Sequence, residues 1–452
     1  MLQSLQLIFS FVAIIALGLF VLKKFSKGEY ISCLNMFSLF LIVDVFLPGV
    51  VGALTGQYLK FPYFKSASDV SYFLAITIFV FSVVLFLFGW LIKNSNYKIT
   101  MGNQYQGLYL ISEKMLMCAF WGSVLIKFAN LYIEYKACGS FDAFYAFKIT
   151  RVYLVTIEYQ SLFAKAIQFM SEFATTILFI SVSIGFVNSK ALKYEKFWNY
   201  IAPLISLAVC ALSLYRGTFL NFGCMMIVSL QYRTDLITTL REKIKSHKRI
   251  INIGILSVVM FFLYGAFRTQ LNTEQWGESI GFGESLTNTL TNTFGTSLSA
   301  LTRCIDYLSN GGELFWGKSM YEMFFFFIPR SIWIDKPTHY GIVSLTTAMG
   351  SPSTTMDAVT IPGEILLNFG ILGIILILPI IGVIFKKFES LKYSERYKYL
   401  YAATISTMIT TSMWMSFTGF FAQIKYFPIY VLMLSLIIRK DKNNRIRKVS
   451  RL

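Results

Sequence analysis

The chain has 452 residues, of which 56 % are hydrophobic and only 14 % charged, a balance far from that of soluble globular domains. Lys and Arg number 41 against 23 Asp and Glu, a net charge of +18. Because the cations fall in short stretches between long apolar runs, the excess is a membrane-topology signal and no argument for a nucleic-acid partner.

Segments of roughly 20 apolar residues are needed to cross a hydrocarbon core. Eleven are expected, at 4–22, 31–54, 71–92, 115–133, 167–187, 198–215, 218–232, 250–267, 361–385, 400–419 and 426–438, the seventh and eleventh being short. The first has no charged residue before its apolar run and carries Lys23-Lys24 after it. It therefore reads as an uncleaved helix with its N-terminus outside, not as a signal peptide. Alternate connections are rich in Lys and Arg, namely 23–27, 93–114, 190–196, 233–249, 386–398 and the basic tail 439–452 with its seven cations. Cytoplasmic loops retain positive charge, so these lie inside, and the tail is also suited to anionic headgroups. The expected architecture is one all-α, polytopic integral membrane domain covering 1–452.

Two outer loops are too long to be mere connections. The first, 134–166, holds Arg151 and an amphipathic stretch at 141–159 suited to the interface. The second, 268–360, is the large extracytoplasmic loop, and the active cleft is expected on it. Its part 285–308, rich in Thr, Ser and Asn with Leu at helical spacing, predicts a helix on the outer face of the membrane domain. The aromatic run Met323-Phe324-Phe325-Phe326-Phe327 follows, stopped by Pro329. It is too short to span and predicts a dip into the outer leaflet. Of six cysteines, only Cys138 and Cys304 fall in outer loops, where a disulfide could persist.

Soluble catalytic signatures are absent. There is no phosphate loop, no dinucleotide glycine fingerprint and no His or Cys cluster at metal spacing. With no Asp-x-Asp, a diphosphate would have to be held by the chain's own cations. Arg151, Arg216, Arg268, Arg303 and Arg330 are candidates, joined by Lys336. Arg216, Arg268 and Arg330 stand at the outer ends of different segments, so their depths match. Each one alone also fits a snorkelling anchor; together they suit phosphate, which guanidinium groups pair in bidentate fashion. At ~4 Å and an effective dielectric constant of ~20, such a pair interacts by about 4 kcal/mol before desolvation. His339 and Glu364, with Asp335 and Asp357 behind them, are candidate bases. Glu364, near the outer end of an apolar helix, equally fits a structural ion pair. Gly363, Gly370 and Gly373, at helical spacing, predict close helix packing. Asp44, before Pro48-Gly49, marks either a kink lining a cavity or a buried residue with a hydrogen-bonded partner. Trp333 and Tyr340 are candidates for stacking on sugar rings.

The segments Ile328-Pro329-Arg330-Ser331-Ile332-Trp333-Ile334-Asp335-Lys336-Pro337 and Gly363-Glu364-Ile365-Leu366-Leu367-Asn368-Phe369-Gly370-Ile371-Leu372-Gly373, with the step Arg216-Gly217, resemble the Wzy-type oligosaccharide repeat-unit polymerases, the O-antigen polymerases. Leu366 and Ile334 depart from that pattern, which often has Tyr and Pro there, and the match covers roughly a tenth of the chain. The resemblance implies a fold similar to GT-C-class glycosyltransferases and a location in the bacterial inner membrane with the active site facing the periplasm. It implies glycosyl transfer between undecaprenyl-diphosphate-linked repeat units, without metal or other cofactor, with undecaprenyl diphosphate leaving. A flippase and a chain-length regulator would share the membrane. A lipid-linked oligosaccharide flippase or other transporter, and an O-antigen ligase, are the competing expectations.

Overall fold

The computed structural model describes residues 2–26, 32–55, 68–92, 109–144, 162–212, 216–233, 296–320, 359–410 and 426–440, with isolated positions between them. In chain order the helices are α1 (Leu2–Ser26), α2 (Cys33–Leu41), α3 (Leu47–Thr55), α4 (Asp69–Leu91), α5 (Glu113–Cys138), α6 (Leu162–Val187), α7 (Ala202–Leu212), α8 (Arg216–Tyr232), α9 (Thr296–Ser309), α10 (Ile361–Ser390), α11 (Lys398–Thr410) and α12 (Phe427–Ile437). Two short strands, β1 (Tyr109–Ile111) and β2 (Ile438–Lys440), pair antiparallel. Among the described residues six helical segments are long and apolar enough to cross a membrane: Leu2–Lys24, Cys33–Leu54, Asp69–Leu91, Glu113–Cys138, Phe163–Val187 and Ile361–Tyr393. Phe197–Leu212 and Phe427–Ile437 are apolar but shorter. The expected span at 250–267 lies largely outside the described residues.

The chain is almost entirely helical, with the architecture of a multi-pass membrane protein, and its side chains point accordingly. On α1, Ile8, Val12, Ile15, Leu19 and Leu22 are all exposed. They recur at steps of three and four, one continuous apolar stripe that water would not tolerate and lipid does. The opposite face buries Gln6 and Ser10, and Gln6 Nε2 donates to the Gly49 carbonyl at 2.9 Å.

The Cα positions group into two compact units. The first holds α1–α4, α9 and α10. Ser32 and Ser68 cap α2 and α4, each accepting from the backbone N–H three residues on. Between α2 and α3 the helix widens into a π-type turn, Ile42–Phe46, which carries Asp44. α4 and α10 meet backbone to backbone, because a β-carbon on Gly89 would fall on the Pro379 carbonyl and one on Gly382 on the Phe86 carbonyl. At the end of this unit away from Asp69, Glu389 accepts from Cys33 N at 2.7 Å and Lys386 Nζ donates to the Ile92 carbonyl at 2.8 Å. The second unit holds α5–α8, α11, α12 and the β1–β2 ribbon. Its large buried anchor is Trp198, packed on Gly185 and edge-on to Phe120. Glu113, at the start of α5, accepts from the backbone of Lys193 and Tyr194.

Two helices of the first unit do not run as expected. α9 was expected to lie on an outer face. Instead its first residues reach Asp44, in the middle of the segment Cys33–Leu54, while Asp306 accepts from Ser71 Oγ on the first turn of α4. It is a half-helix inserted within the bundle, with nine consecutive residues, Ser297–Ile305, buried. The expected span 361–385 is apolar and long enough to cross, but it is not one continuous helix. Gly370 has φ 64° and ψ −159°, and α10 is two helices meeting there. A β-carbon on Gly373 would lie 3.0 Å from Ile365 Cγ2. In a continuous helix residues eight apart are ~12 Å apart, so the chain folds back at Gly370. Residues 361–369 are a second half-helix, running alongside α9 in the same direction, and the long apolar helix begins at Ile371.

Candidate functional site

The two half-helices define a polar core inside an apolar unit. Irregular or broken helices at membrane depth persist only where protein or a water-filled cavity satisfies their ends, and both N-termini here are satisfied. Asp44 Oδ1 and Oδ2 accept from the backbone N–H groups of Thr296 and Ser297 at 3.1 and 2.9 Å. A carboxylate at that place offsets the positive end of the α9 dipole, and the dipole offsets the burial of the charge. Of the two readings of Asp44, the residue is buried and hydrogen-bonded, and it stands in a locally widened helix. The second half-helix starts at Thr360, whose Oγ1 accepts from Gly363 N and whose carbonyl accepts from Glu364 N. Thr360 has φ 66° and is fully buried. A β-branched side chain in the left-handed region is strained by ~1–3 kcal/mol, and such strain collects at functional sites.

Gly363 lets the half-helices touch: a β-carbon there would meet Cys304 Sγ at 3.0 Å. Gly370 does not serve close packing as expected. Nothing lies within 4 Å of its β-carbon position, and its role is the reversal itself. The break frees carbonyls of the preceding turn, and that of Leu367 accepts from Phe315 N at 2.9 Å. Cys304, Met349, Val359 and Leu367 form the apolar cluster beneath Phe315 and Tyr307.

Within this frame Glu364 is fully buried and accepts from Ser319 Oγ at 2.8 Å. Asn368, one turn along the same helix, donates through Nδ2 to Ser319 Oγ at 2.7 Å and to the Glu364 carbonyl at 2.7 Å. Arg303, buried on α9, and Glu364 both lie within electrostatic reach of the Cys304 thiol. The two half-helices, which touch at Gly363 and Cys304, thus each carry a buried ionisable residue, Glu364 on one and Arg303 on the other. Among the described residues no three His, Cys, Asp or Glu gather as metal ligands would.

Of the residues singled out from the sequence, Glu364 and Arg303 are therefore both buried, one on each of the touching half-helices. Arg216 begins α8 in the other unit, and its side chain lies outside the described set. Arg151, Arg268, Arg330, Trp333, Lys336, His339 and Tyr340 lie outside the described residues. Cys138 and Cys304 are both free thiols. Sequence reasoning missed Ser319 and gave Asn368 no role. The four-residue spacing of Glu364 and Asn368 puts both on one helix face and was a usable signal; Ser319, brought in by a distant loop, had none.

Comparison with protein-family models, with curated proteins and with solved structures returned no match for this chain.

Proposed function

We propose that the protein is a metal-independent glycosyltransferase that polymerises lipid-diphosphate-linked oligosaccharide repeat units at the outer face of a bacterial inner membrane. One observation carries the reading: a buried Glu364–Ser319–Asn368 network is built on one of two touching half-helices, the other of which buries Arg303, within an apolar helical unit. Ionisable groups at such depth are costly and mark functional sites. The sequence segments around Arg330 and Gly363-Glu364, which resemble the repeat-unit polymerases, add support.

In this reading the acceptor sugar hydroxyl gives its proton to Glu364 or His339, and its oxygen forms a bond to the anomeric carbon of the donor. The bond from that carbon to the diphosphate breaks, and the electron pair leaves with the polyprenyl diphosphate. Arg303, Arg330 and Lys336 supply the positive charge that stabilises the departing diphosphate, while Trp333 and Tyr340 stack on the sugars. Replacing Arg330 by Ala at unchanged protein level is expected to collapse the surface polysaccharide from a long ladder to a single capped repeat. A normal ladder would remove Arg330 from the mechanism, and loss of even the single capped unit would point to a ligase.

The half-helices also favour a second reading, because transporters bind substrates at broken helices. Translocation of a labelled lipid-linked repeat by the purified protein in vesicles, with no change in glycan length, would select it.

A further inference from the structure

We infer that Ser319 and Asn368 are positioning residues that fix the Glu364 carboxylate for proton transfer, an assignment that rests on the glycosyltransferase reading above. The direction of the hydrogen bonds follows from donor and acceptor chemistry. The Asn368 amide nitrogen faces two acceptors, the Ser319 hydroxyl oxygen and the Glu364 backbone carbonyl, both at 2.7 Å. Turning the amide over would set its oxygen against that carbonyl, so the nitrogen must face them. Ser319 Oγ, already accepting from Asn368, directs its own proton to Glu364 Oε1 at 2.8 Å. Oε1 therefore accepts from Ser319, which fixes one oxygen of the carboxylate.

The arrangement has a cost that packing alone does not repay. Asn368 Oδ1 is left buried with no partner among the described residues, and a buried acceptor that lacks a hydrogen bond is unfavourable. An apolar side chain at 368 would avoid it. All three residues are 0–1 % exposed, and they come from two places far apart in the chain, the segment after α9 and the half-helix 361–369. Strained Thr360 caps the turn that presents Glu364. The carboxylate is thus locked at its backbone by the cap, at its carbonyl by Asn368 and at one oxygen by Ser319. Held so, it has one orientation, as a base must when a misplacement of ~1 Å can cost about a hundredfold in rate.

The test uses the full-length protein in detergent, with the lipid-linked single repeat unit extracted from cells lacking this gene as substrate. Ser319→Ala is expected to lower kcat by about ten- to a hundredfold and leave KM within about twofold, the pattern of an interaction needed in the transition state. Ser319→Thr, which keeps the hydroxyl, is expected to restore most of the rate. Asn368→Asp, which puts an acceptor where the donor was, should repeat the Ala result. Thermal unfolding of each variant separates turnover from folding. Wild-type kcat in Ser319→Ala, a loss that Thr does not rescue, or loss of folded protein in both the Ser319→Ala and Asn368→Asp variants would overturn the assignment. Glu364→Gln keeps the two failures apart: full turnover in that variant removes the base itself, whereas an inactive Glu364→Gln beside a fully active Ser319→Ala removes only the positioning.

Discussion

Asp44 is a carboxylate in the middle of an apolar segment, and backbone donors help to meet its cost. Two N–H groups of α9 and the positive end of that helix take the place of water. Removing the side chain leaves two buried donors and an uncapped half-helix. Asp44→Ala is therefore expected to destabilise the protein by about 1–3 kcal/mol, read as a lower Tm in detergent. Asp44→Asn retains one acceptor oxygen and should lose less. Equal melting of the Ala variant and the wild type would mean that α9 does not depend on this cap. Asp44 was legible as an anomaly because an ionisable residue stands out against apolar neighbours. Its partners were not legible, since Thr296 and Ser297 are some 250 positions away and donate through backbone atoms that every residue shares.

Elements were legible where composition alone decides them. The apolar runs of α1, α4, α5 and α6 fall within a few residues of the expected spans, because ~20 apolar residues in lipid have no option but helix. Direction changes were hidden, because residues 361–385 read as one long, mainly apolar run and only the φ of Gly370 marks the break within it. The glycines that matter for packing were hidden too. Gly89 and Gly382 bring α4 and α10 into backbone contact, whereas Gly18 on α1 faces open space, and sequence does not distinguish them. Adding one methyl group should. Gly89→Ala forces the two helices apart and is expected to cost about 1–3 kcal/mol, as overpacking does. Gly18→Ala gains helix propensity of up to about 1 kcal/mol. Melting temperatures that move the same way in both variants would contradict the close crossing of α4 and α10.

At the scale of the whole molecule, contacts between connections test sidedness without reference to charge. Cys33 with Glu389, Ile92 with Lys386, Glu113 with Lys193, and Ile111 with Ile438 each tie together segments that the distribution of Lys and Arg assigns to one side. Ser71 with Asp306 ties the start of α4 to the end of α9 at the opposite end of the first unit. If α9 were a full span, Asp306 and Thr296 would lie on opposite faces of the membrane; as a half-helix of 14 residues, ~21 Å long, it falls short of a ~30 Å core and reaches from the level of Asp44 to the end at which Ser71 lies. Single cysteines test which face the end of α9 occupies, in a background with Cys118 and Cys138 replaced by Ser, since the other four cysteines are buried. Ser68→Cys and Asn310→Cys, both at exposed positions, are expected to react with an impermeant maleimide on right-side-out spheroplasts. Lys387→Cys, exposed near the other end of α10, should react only after the membrane is opened, as the positive charge around it requires. Labelling of Asn310→Cys together with Lys387→Cys, and not with Ser68→Cys, would contradict the Ser71–Asp306 contact and put the end of α9 on the opposite face. Glu364 and Arg303 would then have no route to a substrate arriving from the face that Ser68 occupies.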